Sequence, residues 1–166
     1  MKPFDIGIVG LAGSGKDTAG TAVCEEGWIR GGFASSLKLT CASLGWDGNK
    51  DTKGRKLLQE VGMAGRAYDP QMWVNLARKL VYSTEAVCWT DVRFVNEADF
   101  IRNERNGIII RVVRPGMALE KAHQHESELN QYMISADYTV QNEGSIADLH
   151  AKIREIIKYE ITRHEN

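Results

Sequence analysis

The chain has 166 residues, of which 43% are hydrophobic and 26% are charged, and its formal net charge is −1. This length suits one domain with a substantial core, and the charge gives no overall signature of a nucleic-acid coat or a membrane-surface binder. No apolar run approaches the roughly 20 residues of a membrane span, so we expect no membrane partner.

The first residues and the cysteines indicate the cellular compartment that we expect for the protein. The first residues, MKPFDIGIVG, run directly into a strand pattern rather than a signal peptide. Cys24, Cys41 and Cys88 are scattered and lack metal-ligand spacing, which favours reduced thiols in a reducing compartment. We therefore expect a cytoplasmic protein.

The first half of the chain predicts one buried strand followed by helices. Residues 4–9, FDIGIV, form a short apolar run ended by glycines, which is typical of a parallel strand. A helix should follow from Gly15 to about Glu26. Further helices are expected from about Ser35 to Gly45, over residues 55–69 and from Asp69-Pro70 onward, with a polar loop over 46–54.

The second half predicts strands that alternate with helices. Strands are expected over residues 85–90, 108–113 and 137–142, with a short helix at 96–107, a polar segment at 117–136 and a final helix from Ser145 to about Thr162. Ser145 and Asp148 fit a capping box for that helix. Its core-facing residues are expected to be Ile146, Leu149, Ile153, Ile156 and Ile157.

This alternation predicts an α/β fold in which a parallel sheet carries helices on both faces. Ligands of such sheets bind at the carboxyl ends of the strands. The loops to inspect therefore follow the predicted strands, and they contain residues 10–18, residues 91–93, Arg114 and Asn142.

The stretch GLAGSGK, residues 10–16, has the form of a phosphate-binding loop, and we call it the phosphate loop. It follows a predicted strand and opens a predicted helix, which is the context that the motif requires. Backbone N–H groups and the helix start would bind phosphates, and Lys16 would reach the β- and γ-phosphates. The predicted nucleotide-binding residues of this loop are Ala12, Gly13, Ser14, Gly15 and Lys16.

Asp17 stands where the pattern G-x-x-x-x-G-K-[ST] has a hydroxyl residue. The usual hydroxyl is a magnesium ligand, and a carboxylate could serve the same ion directly or through water. Asp17 could instead only complement the helix dipole. Thr18 could still bind the α-phosphate.

Candidate residues also occur outside the phosphate loop. In TDVRF, Asp91 and Arg93 follow a strand, where a carboxylate commonly orders magnesium-bound water, although an ordinary polar turn is the alternative. Residues 38–66 carry an excess of positive charge that suits a phosphate-bearing substrate or forms a solvated face. Within them Lys38 and Arg66 are our substrate-binding candidates, and Arg66, near a helix end, is favoured because arginine binds phosphate with two parallel hydrogen bonds.

Two further possibilities are a base-stacking tryptophan and a zinc site formed by two histidines. Trp73 fits a core position better than a base-stacking position, although we keep it as a substrate-binding candidate. The pair His123 and His125 lacks the further ligands that a zinc site needs, so we reject a metal there.

The chain contains, in this order, SGKDT, FASSLK, RKLLQEVGMAGRAYDPQMWV, TDVRFVNEAD, IIIRVVRPG, HESE and DYTVQNEGSIADL. In order and spacing these stretches resemble the phage-type deoxynucleoside monophosphate kinases, over about residues 4–150. The sequence Asp17-Thr18 after the loop lysine is itself typical of that family.

The resemblance implies a three-layer P-loop nucleoside-monophosphate-kinase-like fold in a single domain, residues 1–166, with an acceptor-binding region at about 33–82 and a lid-like segment at about 115–136. It also implies ATP as the phosphate donor, Mg²⁺ as the cofactor and a deoxynucleoside 5′-monophosphate as the acceptor. A phage origin would place the protein in the host cytoplasm. The resemblance assigns no oligomeric state.

The resemblance also distributes roles among the candidate residues. Arg66, Asp91 and Arg93 would lie on the acceptor or metal side, Arg114 would clamp a phosphate, and the loop with Asn142 would lie near the adenine. No arginine occurs between Pro115 and Tyr138. That absence moves the expected phosphate contacts from lid arginines to Arg93, Arg111 and Arg114, unless Arg111 simply faces outward from its strand.

Two other functions stay open at the level of the sequence. Related phage proteins are thought to phosphorylate 5-hydroxymethyluracil in DNA, and Asp91 could be the base that an alcohol acceptor needs. The net charge of −1 favours a small substrate over DNA. The remaining alternative is a nucleotide-binding regulator that transfers no phosphate.

Overall fold

Residues 4–116 and 130–165 are described in the computed structural model. Their contacts divide the chain into two units, one formed by Gly32–Tyr82 and the other by Met1–Gly31 together with Ser83–Asn166. The first of these nearly coincides with the range that the resemblance assigns to acceptor binding, and that assignment stays a prediction.

The larger unit is built on a five-stranded sheet. Its strands are β1 Ile6–Val9, β2 Ile29–Gly31, β3 Val87–Trp89, β4 Ile108–Val113 and β5 Tyr138–Gln141. They lie in the order β2-β3-β1-β4-β5, and every neighbouring pair is parallel. Because β1 is central, with strands on both sides and helices on both faces, all four of its residues are buried.

Helices cover both faces of this sheet. The α-helices that lie wholly within the described residues are α1 Lys16–Glu25, α2 Ala34–Ser43, α3 Thr52–Tyr68, α4 Met72–Leu80, α5 Val95–Asp99 and α6 Ile146–Glu165. α5 continues as a π-helix at Phe100–Glu104, and a 3-10 helix occupies Gln131–Met133.

On one face of the sheet, α1 and α6 bury a continuous core with the strand side chains. That core includes Ile8 and Ile110 from the sheet, Ala22 from α1 and Ile153 from α6. On the opposite face, the Phe100 ring packs edge to face against Trp89 of β3, with ring centroids 5.7 Å apart. The result is three layers with a parallel sheet in the middle, as the sequence predicts.

The smaller unit consists of α2, α3 and α4. Asp51 caps α3, because its side chain accepts a hydrogen bond of 2.8 Å from the Gly54 N–H. Trp73 of α4 is 4% exposed and donates its indole N–H to the Gly62 carbonyl at 3.0 Å. A ring so deeply packed against α3 has no free face for a nucleobase, so the structure corrects the base-stacking assignment of Trp73 and confirms its core position.

Most predicted elements are present, with informative differences. β4 has the predicted bounds, and α1 agrees within a residue at each end. β2 was not predicted, since two of its three residues are exposed and it lies at the sheet edge. The predicted helix at 96–107 is a short α-helix that widens into a π-helix. Ile146 is 67% exposed, so its predicted core position is wrong.

A buried ion pair joins the amino ends of the strands, at the edge opposite the phosphate loop. Asp5 is fully buried and accepts hydrogen bonds from the Val87 N–H at 3.0 Å and the Trp89 indole N–H at 2.7 Å. Arg105 Nε lies 2.9 Å from the same carboxylate. Such a fully partnered carboxylate ties β1 to β3 and to the turn that follows the π-helix.

None of the helices in the described ranges combines the length and the apolar character that a bilayer crossing requires.

Candidate nucleotide site

The phosphate loop joins β1 to α1 with a backbone that needs glycine at two positions. Gly13 and Gly15 have φ of 84° and 99°, in the left-handed region that side chains disfavour. A Cβ added to Gly15 would also lie 2.4 Å from Nδ2 of Asn142. α1 then begins at Lys16, and its N-cap residue is Gly15, which makes no side-chain hydrogen bond to the first turn. Its first N–H groups are therefore available to an anion.

Asn142, which is distant in sequence, contacts the phosphate loop. It follows β5, and its backbone N–H donates to the Val113 carbonyl at 2.7 Å. Its side-chain Nδ2 donates to the Ser14 carbonyl at 2.9 Å. The sequence predicted Asn142 as an ATP-binding residue, and the structure gives its amide a defined partner within the loop.

Ser14 itself is almost fully buried, with 1% of its surface exposed. Its hydroxyl oxygen has no hydrogen-bond partner among the described residues. A Cβ on Gly10 would lie 2.5 Å from that oxygen, so the loop is closed tightly over its own first residue. Glycine at position 10 is thus required by close approach.

Lys16 and Asp17 lie together at the mouth of the loop. Lys16 Nζ is 3.5 Å from Asp17 Oδ2, and the two side chains are 16% and 72% exposed. The Asp17 carbonyl accepts hydrogen bonds from Thr21 Oγ1 at 3.1 Å and from Arg30 Nη2 at 3.3 Å. Arg30 belongs to β2, which the sequence did not reveal, so this support of the first helical turn was missed.

A cavity of about 380 Å³ opens beside the phosphate loop. Its lining combines the loop, the end of β4 and the start of α6, and consists of Gly13, Gly15, Lys16, Asp17, Thr18, Arg114, Asn142, Gly144, Ile146 and Leu149. Six predicted nucleotide-binding residues line this cavity, and the predicted phosphate clamp Arg114 lines it as well. The exposed side chain of Ile146 forms part of its apolar wall.

Asp91 and Arg93 follow β3 at the carboxyl edge of the sheet, next to β1. Thr90, one residue earlier, packs on α1, where a Cβ on Gly20 would lie 2.4 Å from its Cγ2. Asp91 is half-buried and Arg93 is exposed. Buried Glu97 accepts the Arg93 N–H at 2.8 Å and so fixes the turn, a role that the sequence did not signal.

Arg111 does not simply face outward, because its side chain is half-buried and has partners within the chain, and its contact with a phosphate stays a prediction. Its guanidinium donates to the carbonyls of Gln131 at 3.1 Å and Ile134 at 2.5 Å. Burial lowers the pKa of this half-buried group. Arg111 therefore holds the segment that leads into β5.

Lys38 and Arg66 belong to the smaller unit. Lys38 is exposed on α2, and Arg66 of α3 is half-buried and donates to the Gly62 carbonyl at 3.2 Å. Their acceptor role stays a prediction. Residues 117–129, with most of the lid-like segment and both rejected histidines, lie outside the described residues.

The residues present fit a phosphate chain and a magnesium ion. Uncapped N–H groups, a lysine and Arg114 converge on one cavity, and Asp17 offers carboxylate oxygens at its mouth. Within the described ranges, no group of three or more His, Cys, Asp or Glu could hold a metal by itself. Magnesium bound to a nucleotide needs only one or two carboxylates besides phosphates and water.

Comparisons with solved structures show the fold. TT1252 from Thermus thermophilus superposes with a TM-score of 0.59 at 17% identity, over 96% of this chain and 98% of that one. Shikimate kinase from Aquifex aeolicus gives 0.53 at 16%, over 96% and 99%. The APS kinase CysC from Mycobacterium tuberculosis gives 0.50 at 12%, over 95% and 98%.

Comparisons of sequence show the family. No family model matches the chain. A protein of Acanthamoeba polyphaga mimivirus, provisionally named deoxynucleotide monophosphate kinase, is 32% identical over 184 aligned positions. The alignment covers 89% of this chain and 93% of the viral protein. The chain therefore belongs to the family of this mimiviral deoxynucleotide monophosphate kinase and has the fold of the P-loop kinases.

Proposed function

We propose that the protein transfers the γ-phosphoryl group of ATP to a deoxynucleoside 5′-monophosphate and releases the diphosphate, as the phage-type enzymes of the resemblance do. The observation that carries the proposal is the placement of Lys16 and Arg114 in one cavity with the uncapped start of α1. The name of the mimiviral relative supports the choice of acceptor.

The reaction breaks the bond between the γ-phosphorus and the oxygen that bridges to the β-phosphate. A phosphate oxygen of the acceptor forms the new bond. That oxygen is already anionic, so the chain has to position the reactants and balance their charge rather than remove a proton. Bound Mg²⁺, which Asp17 would help to hold, would neutralise part of the negative charge of the phosphates.

On the donor side, Lys16 and the N–H groups of α1 would bind the β- and γ-phosphates. Thr18 would bind the α-phosphate, and Asp17 would hold the magnesium ion. Arg114 is exposed at the end of β4 and lines the cavity, so we assign it the developing charge on the transferred group.

On the acceptor side, we assign roles to residues that follow β3 or lie in the smaller unit. Asp91 would order magnesium-bound water, and Arg93 would bind the acceptor phosphate. Lys38 and Arg66 are assigned to acceptor binding within the smaller unit. These roles rest on the strand-end position of Asp91 and on the local excess of positive charge.

The test is a panel of acceptors with γ-labelled ATP. We expect label in a deoxynucleoside diphosphate with at least one of the deoxynucleoside monophosphates, and none without an acceptor. Label that appears only in DNA containing 5-hydroxymethyluracil would overturn the proposal in favour of a DNA kinase. ATP binding without transfer to any acceptor would overturn it in favour of a regulator.

A further inference from the structure

The carboxylate of Asp17 lies where incoming phosphates have to come close. Its Oδ2 atom is 3.5 Å from Nζ of Lys16, the ammonium that the proposed function assigns to the β- and γ-phosphates. Asp17 is 72% exposed and faces solvent, whereas Lys16 is 16% exposed. Before any nucleotide arrives, the phosphate-binding lysine is thus paired with an anion of the chain itself.

The backbone that carries this carboxylate is held at the start of α1. Gly15 is the N-cap residue, with a φ of 99° and no side-chain cap of its own. The Asp17 carbonyl is held by Thr21 at 3.1 Å and by Arg30 at 3.3 Å. The first turn is thus held both by α1 itself and by β2, and the Asp17 carboxylate that it carries lies beside Lys16.

The sign of the interaction between Asp17 and a nucleotide depends on the metal. A triphosphate without metal brings several negative charges beside the carboxylate and has to separate Lys16 from it, and both effects oppose binding. With magnesium on the phosphates, the same carboxylate meets a divalent cation, for which carboxylate oxygens are preferred ligands. One side chain thus opposes the free anion and favours its metal complex.

We propose that Asp17 makes the phosphate loop selective for magnesium-bound nucleotide by repelling the metal-free form. The inference rests on the proposed function, because it concerns the donor at the same site. A hydroxyl at this position would also bind the metal, but it would not repel free phosphates. The coupling is reciprocal, so the nucleotide raises the affinity for magnesium by the factor by which magnesium raises the affinity for the nucleotide.

The test measures the Kd of ATP by calorimetry, once in excess magnesium and once in excess EDTA. The variants are Asp17→Asn, which keeps the size and loses the charge, and Asp17→Ser, which restores the usual hydroxyl. Glu155→Gln is the control. Glu155 is exposed on α6, and this substitution removes the same unit of charge as Asp17→Asn. A melting curve without nucleotide checks that each variant is folded.

In EDTA, both Asp17 variants should bind ATP about tenfold more tightly than the unchanged protein, within the usual 5–150-fold range of coupled binding. Asp17→Ser should also keep its affinity in magnesium, and Glu155→Gln should behave as the unchanged protein in both conditions. Metal-free affinities that are equal in Asp17→Asn and the unchanged protein would overturn the inference. Equal tightening by Glu155→Gln would overturn it too, because the effect would then come from net charge.

Failure of the proposed function would look different. In that case the unchanged protein would bind ATP in neither condition, or would bind it and transfer no phosphate. The inference about Asp17 is judged on the ratio of two affinities, which needs no turnover.

Discussion

At the scale of single residues, the site depends on a contact between parts of the chain that are 128 positions apart. Asn142 donates to the Ser14 carbonyl at 2.9 Å and stands against Gly15. We read it as a positioning residue, because its amide orients the loop whose N–H groups would face the phosphates. The loop after β5 is thereby linked to the phosphate loop.

Replacing Asn142 should weaken ATP binding more than it weakens the fold. For Asn142→Ala we expect the Kd of ATP to rise about 2–13-fold, which corresponds to one hydrogen bond of about 0.5–1.5 kcal/mol. Asn142→Asp should be worse, since a carboxylate oxygen would face the Ser14 carbonyl. Calorimetry measures both, with Gln141→Ala as the neighbouring control. An unchanged Kd in Asn142→Ala would refute the positioning role.

The sequence predicted the residues of the candidate site but not the residues that form hydrogen bonds with them. Lys16 and Arg114 follow from a local motif and from a strand end, which are visible in a short stretch. The partners Arg30 and Glu97 are recognisable only once β2 and the turn after β3 are folded. Asn142 was predicted from the family resemblance. Its hydrogen bond to the Ser14 carbonyl was not predicted, because that contact depends on tertiary structure.

At the scale of elements, the start of α6 forms one wall of the cavity and carries the predicted capping box. The Ser145 N–H and hydroxyl both donate to Asp148 Oδ2, at 2.8 and 2.7 Å, and the Asp148 N–H returns a bond of 3.2 Å to the hydroxyl. The helix beyond it packs Leu149 and Ile153 into the core. The cap therefore sets where Ile146 enters the cavity wall.

Ser145→Ala should lower the free energy of unfolding by about 0.5–2 kcal/mol, the usual worth of a helix cap. Ser145→Thr keeps the hydroxyl and should restore most of it. Hydrogen bonds from the Ser145 side chain and backbone lower the pKa of Asp148, so the part of the cap that depends on the charged carboxylate is present above the ordinary carboxyl pKa and is lost as the pH falls through the lowered one. Urea unfolding at neutral and acidic pH measures these free energies. Equal free energies of unfolding for Ser145→Ala and Ser145→Thr at pH 7 would contradict the capping role.

Elements with a strong local pattern were predictable, and elements defined by the sheet were not. The apolar runs of β1 and β4 fixed those strands, because a buried parallel strand is apolar on both sides. β2 has only three residues and is largely exposed at the sheet edge, so it carries no such pattern. Ile146 fits the helical period but lies a turn too early to reach the core.

At the scale of the whole molecule, the two edges of the sheet have separate tasks. The carboxyl edge carries the phosphate loop, Asp91 and Arg114. The amino edge carries the buried pair of Asp5 and Arg105, with Nε 2.9 Å from the carboxylate. Stability at one edge can therefore be tested independently of binding at the other.

Asp5→Ala should lower the free energy of unfolding by about 3–5 kcal/mol, because it leaves the charge of Arg105 buried beside an emptied site. The fraction that remains folded should still bind ATP with an unchanged Kd. Urea unfolding and calorimetry measure the two quantities, and exposed Glu155→Ala is the control, expected within about 0.5 kcal/mol. A loss of ATP affinity in folded Asp5→Ala would show that the edges are coupled.

The fold class of the whole molecule was predictable from alternation of strands and helices, and the division into two units was not. Alternation fixes a parallel sheet with covered faces. The extent of Gly32–Tyr82 as a separate unit depends on which helices contact each other. In α2 and α3 the periodicity does not show whether a helix packs on the sheet or on another helix.

If the phosphate loop performs phosphoryl transfer from ATP, the Lys16→Ala variant should lose most of its activity. Lys16 is placed by Gly15 at the start of α1 and lines the cavity, and its charge should matter most when the phosphoryl group moves. With ATP and the best deoxynucleoside monophosphate, we expect kcat to fall by at least about a hundredfold, with an unchanged melting temperature. Activity within about tenfold of the unchanged protein, at equal folding, would contradict it, since tenfold is only about 1.4 kcal/mol of the barrier.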